Sequence, residues 1–190
     1  MSGVILSEVK GPDSSAFGLR MTLIVFVLFL AVGMAPVSAA AQETVQASFD
    51  DRQWKLGYEN YNPDKKAVIK EFVPEGETIE AWNELITLQF FEDLQNKITV
   101  AQFLQKVQDG IQKACPEVKW STVSEQEKEA VYRWSIQGCP GQPDQTEITR
   151  VFAGQEGMHI WHYSAKDSKL DLKKQKEWID RLGTFQLKSS

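Results

Sequence analysis

Reactive side chains are scarce in this chain, which has two histidines and two cysteines among 190 residues. Neither cysteine has a histidine nearby in sequence and no C-x-x-C occurs, which argues against a thiol nucleophile or a redox pair. No G-x-S-x-G is present, and Ser121, Ser124, Ser135 and Ser164 fall in strand or turn context, so serine hydrolase chemistry has no support. Phosphate-binding glycine patterns are missing too. Basic runs stop at two residues, as at Lys173-Lys174, and the net charge of −5 leaves no footprint for nucleic acid. No cofactor, no resident metal and no nucleic-acid partner are expected. Internal repeats and low-complexity segments are absent as well.

What is present is enough apolar and aromatic residue for one domain with a sizeable core, including six tryptophans. The chain is organised around residues 83–115. From Asn83 to Phe91, Ile86, Leu88 and Phe90 alternate with Leu85, Thr87, Gln89 and Phe91, the period of a strand. Val100, Phe103, Leu104, Val107 and Ile111 then form one apolar stripe at helical spacing. Thr99 and Gln102 match a capping box at the start of that helix.

The N-terminus points to a compartment. Arg20 precedes an apolar run from Met21 to Met34, then Pro36 and the small residues Val37 to Ala41. A positive charge, an apolar core and an A-x-A-like site make a secretory signal peptide. Cleavage is expected near Ala40 to Gln42, with residues 1–41 as leader; Met21 is a competing start. The competing reading of the leader is an uncleaved anchor, since Met21 to Ala41 just reaches the roughly 20 residues a bilayer requires. Export predicts a periplasmic or secreted protein and an oxidising environment.

In that environment Cys115 and Cys139 read as a disulfide. Val118 to Val123 and Ala130 to Ile136 form a hairpin pattern about Glu127. Its register sets Val123 opposite Val131, Thr122 opposite Tyr132, Trp120 opposite Trp134, and the two cysteines opposite each other. Two buried free thiols are the alternative.

In order, residues 42–52 read as a flexible lead and 53–190 as a single domain. Trp54, Leu56 and Tyr58 share a face of the first strand, Asn60 to Asp64 is a turn, and Lys66 to Val73 is the second strand. Glu77 to Trp82 is a connector with room for one helical turn. After the cysteine hairpin, a second one runs Glu147 to Ala153, Gly154 to Gly157, Met158 to Ala165. A closing helix ends at Leu182, with Leu172, Ile179 and Leu182 as its stripe, Trp178 at the edge and Gly183 as C′ residue. Thr184 to Leu187 adds a short tail against the sheet.

Strands joined mainly by hairpins imply an α+β fold: an antiparallel sheet of about six to seven strands covered by two helices. The order resembles the PsbP/DcrB-like α/β sandwich, carried by Leu85-Ile86-Thr87-Leu88 before the Thr99 helix, by Gly157 to Tyr163, and by Leu182 to Leu187. Phe72 to Glu77 with Trp82 to Gln89 also resembles a small family of uncharacterised exported bacterial proteins. Neither resemblance implies a catalytic residue.

Candidate site residues are few. In a strand His159 and His162 point to opposite faces and cannot easily chelate one ion. His159, Trp161 and Tyr163 share one face, and Met158, Ile160 and His162 the other, with ring tips expected at the sheet margin. Glu75, Glu77, Glu80 and Glu84 cluster around Trp82, an arrangement that suits a solvated loop better than paired-carboxylate hydrolysis. The expected interaction surface is therefore Glu77, Trp82, Glu84, Trp161 and His162, with no catalytic residue assigned. The function that follows is an exported, non-catalytic accessory or binding protein for an envelope protein or small ligand. The alternatives are an envelope hydrolase using an acidic or histidine residue, and a membrane-tethered envelope component.

Overall fold

Thr99 starts the longer helix as expected: its side chain accepts from the Gln102 N–H while the Gln102 side chain accepts from the Thr99 N–H, at 3.1 and 2.9 Å. This computed structural model describes residues 44–46, 49–167 and 170–188. The predicted leader lies outside the described residues. In chain order the elements are β1 (Thr44–Gln46), β2 (Trp54–Asn62), β3 (Ala67–Pro74), β4 (Glu84–Glu92), a 3-10 turn at Leu94–Asn96, α1 (Val100–Ala114), β5 (Lys119–Gln126), β6 (Glu129–Ile136), β7 (Gln145–Ala153), β8 (Gly157–Ala165), α2 (Leu172–Gly183) and β9 (Gln186–Lys188).

Seven strands form one antiparallel sheet in the order β2-β3-β4-β8-β7-β6-β5, and β1 pairs with β9 separately. The long connection through α1 places β8 beside β4, at the centre. α1 lays Val100, Phe103, Leu104, Val107 and Ile111 on one sheet face, against Phe91, Met158, Ile160, Val151, Tyr132, Trp134 and Ile136. α2 covers the other face, where Trp178 and Leu182 meet Ile86, Ile148, Trp161 and Tyr163. Each strand thus alternates between two cores, which is why all nine residues of β8 are buried. The ring tips expected at the sheet margin are interior instead.

The disulfide between Cys115 and Cys139 is formed, joining the C-cap of α1 to the loop after β6. Thr122 pairs with Tyr132 and Trp120 with Trp134 as expected, but Ser124, not Val123, pairs with Val131. A bulge expels Val123, which is 44% exposed, and so bends the outer strand.

A second bulge lies between Leu56 and Tyr58 on the opposite edge strand. Leu56 pairs with Phe72 on the α2 face, whereas Tyr58 pairs with Glu71 on the α1 face, so the expected shared face is broken at Gly57. Gly57 is required there: a Cβ would sit 2.5 Å from Ile79 Cγ1. Ile79 belongs to the segment 75–83, which makes turns rather than a helical turn and packs Ile79 and Trp82 on Val73 and Leu85.

In α2 the stripe differs from expectation. Trp178 and Leu182 are buried, Ile179 is partly buried and Leu172 is 77% exposed. Trp178 stacks on Tyr163 with ring centroids 4.0 Å apart, which rotates the helix toward its tryptophan. Asp171 is the N-cap, and the helix runs through Gly183 to cap at Thr184. The predicted tail overlaps β9, whose strand pairing is with β1 rather than with the seven-strand sheet. Within the lead, Phe49 packs on Phe72 and Trp54, and the Phe49 carbonyl accepts from Arg181 Nη1 at 2.7 Å.

Candidate functional site

The α1 face of the sheet is apolar under α1 and polar beyond it. Strand register places Glu71, Thr87, His162, Thr149 and Tyr132 in one row across five strands. The next row holds Leu85, Ser164, Glu147 and Trp134. All alternate with residues of the α2 core, because strand side chains switch faces at every step. Glu71, Thr87, Thr149, His162 and Ser164 are all buried.

Glu147 is the hub of this patch. Its Oε1 accepts from Trp134 Nε1 at 3.0 Å and from Thr149 Oγ1 at 2.9 Å, and its Oε2 accepts from Ser164 Oγ at 3.0 Å. His162 Nδ1 lies 2.9 Å from both Glu147 Oε1 and Thr149 Oγ1. Burial pushes the Glu147 carboxyl up, but the His162 charge and these hydrogen bonds outweigh it and hold the group below the usual carboxylate range. Its oxygens can then only accept. The Thr149 hydroxyl spends its proton on Glu147, so the Nδ1 proton of His162 is the shared one.

The other imidazole nitrogen, Nε2, is buried without a hydrogen-bond partner. Gln89 Oε1, one row away on β4, and the Tyr132 hydroxyl on β6 are in the same position by geometry. Burial, with the Glu147 charge, pushes the Tyr132 hydroxyl far above its ordinary range, so it stays protonated. Among the described residues no group of three His, Cys, Asp or Glu side chains is placed to hold a metal.

The residues singled out from the sequence do not converge. His159 lies on the α2 face, stacked on Phe152 with centroids 5.0 Å apart, so the two histidines do point to opposite faces. Trp161 is 1% exposed within the α2 core. Trp82 is half-buried at the segment 75–83, with Lys166 Nζ 4.5 Å above its ring. Glu77 accepts from the backbone N–H of Asn83 at 2.6 Å and from its side chain at 3.1 Å. Burial raises the Glu77 carboxyl, and the hydrogen bonds from Asn83 and Glu84 more than reverse that.

Glu84 faces the α2 side and ties three elements together. It receives Arg52 on both oxygens, Lys174 Nζ at 2.7 Å and the Tyr163 hydroxyl at 2.8 Å. Burial works against its charge, yet these partners bring its carboxyl down to about 2. Of the expected surface, only His162 belongs to the polar patch, and Glu147, Thr149 and Ser164 join it. The alternation Glu147-Ile148-Thr149 against Trp161-His162-Tyr163-Ser164 was the signal that these polar groups meet across the hairpin.

A family model matches this chain over residues 41–189. Among solved structures it is similar to one described as the crystal structure of LpqN involved in cell envelope biogenesis of Mycobacterium tuberculosis. Identity is 13%, the TM-score is 0.36, and the match covers 78% of this chain and 86% of that one. No curated protein matches the chain.

Proposed function

The chain belongs to the family matched over residues 41–189, and we propose that it works outside the cytoplasm as a non-catalytic binding or accessory domain. The finer fold assignment in this proposal is the PsbP/DcrB-like sandwich, supported by the order of a hairpin, a strand, a long helix, a four-strand meander and a closing helix. The observation that carries the reading is the Cys115–Cys139 disulfide, both of whose cysteines are buried. Disulfides persist in oxidising compartments, and the apolar run after Arg20 supplies a route there. The occupancy of Glu77 and Glu84 by structural partners favours binding over hydrolysis through those acids.

Expression of the full chain in a bacterial host, followed by fractionation and intact mass, tests the compartment. The expected product is periplasmic or secreted, begins near residues 40–42 and has no thiol open to alkylation. A full-length cytosolic protein with two reactive thiols overturns the proposal, and a full-length membrane-bound one replaces it with the tethered reading. Affinity capture from an envelope extract, with mass spectrometry, then asks which protein or small molecule it holds.

A further inference from the structure

We draw no further inference here: the strongest candidate, the exposed sheet edge at β2 with Leu56, Tyr58 and Tyr61 on its surface, carries nothing because nothing in the structure shows what covers it.

Discussion

Arg52 and Glu84 meet as a two-pronged ion pair across 32 residues of sequence, with Nη2 to Oε2 at 2.7 Å and Nη1 to Oε1 at 3.2 Å. Lys174 and Tyr163 close on the same carboxylate, so one acid joins the segment before β2, the start of β4, α2 and β8. The reason Glu84 looked like a surface acid is that its partners lie far away in the chain.

That carboxylate makes stability depend on pH. Its folded pKa of about 2 is below the ordinary 4.5, so its contribution is fully present above pH 4.5 and is lost as pH falls through that window. Glu147 is shifted in the same direction and adds to the trend. Chemical denaturation between pH 7 and pH 2 should show stability falling with acid, and Glu84→Gln should flatten the fall by roughly 1–2 kcal/mol after solvent screening. An unchanged profile in the variant would show that the hub carries no linkage.

Replacing Cys115 and Cys139 together by serine opens a loop with a sequence separation of 24. The expected loss is about 2–4 kcal/mol, mostly through the freer unfolded chain. Thermal melts of the oxidised protein and the double variant measure it. A difference below the error of the melts would remove the staple from the account of stability.

Arg150 fastens the end of α2 to the sheet. Its Nη1 donates to the carbonyls of Leu182 and Phe185 at 2.8 and 2.7 Å, while Glu129 holds the other side of the guanidinium. Lysine offers no planar fork, so Arg150→Lys should cost roughly 1.5–3 kcal/mol and raise hydrogen exchange in α2 and β9 first. Uniform exchange changes across the sheet would speak against a local clamp.

Gly57→Ala should drive its methyl into Ile79, at a cost of about 1–3 kcal/mol. Because the obstruction is a side chain, Ile79→Ala in the same protein should recover part of that loss in a double-mutant cycle. Simple additivity of the two changes would place the strain elsewhere.

The second hairpin shows how far a sequence reaches. Gly154 and Gly157 bound its turn, and that centre alone sets Thr149 opposite His162 and Glu147 opposite Ser164, as the structure has them. The polar patch was therefore within reach of the register. The bulges at Gly57 and Val123 were not, since each depends on what packs behind the strand and not on alternation within it. Likewise Leu172 fits a helical stripe as well as Trp178 does, and only the Tyr163 ring on the sheet selects the tryptophan.

Local patterns by themselves determined the seven strands of the main sheet and the two helices, the capping of α1 at Thr99, the cysteine pairing and the antiparallel α+β class, because periodicity, caps and hairpin register act over a few residues; β1 in the lead was not among them. The tertiary structure alone decided that β8 lies at the centre between two cores, that Glu84 is an ionic hub, and that His162 sits beside Glu147 with one nitrogen unsatisfied. Those facts depend on which strands become neighbours, and neighbours are chosen by burial of whole faces across the chain, a balance that no short stretch of sequence contains.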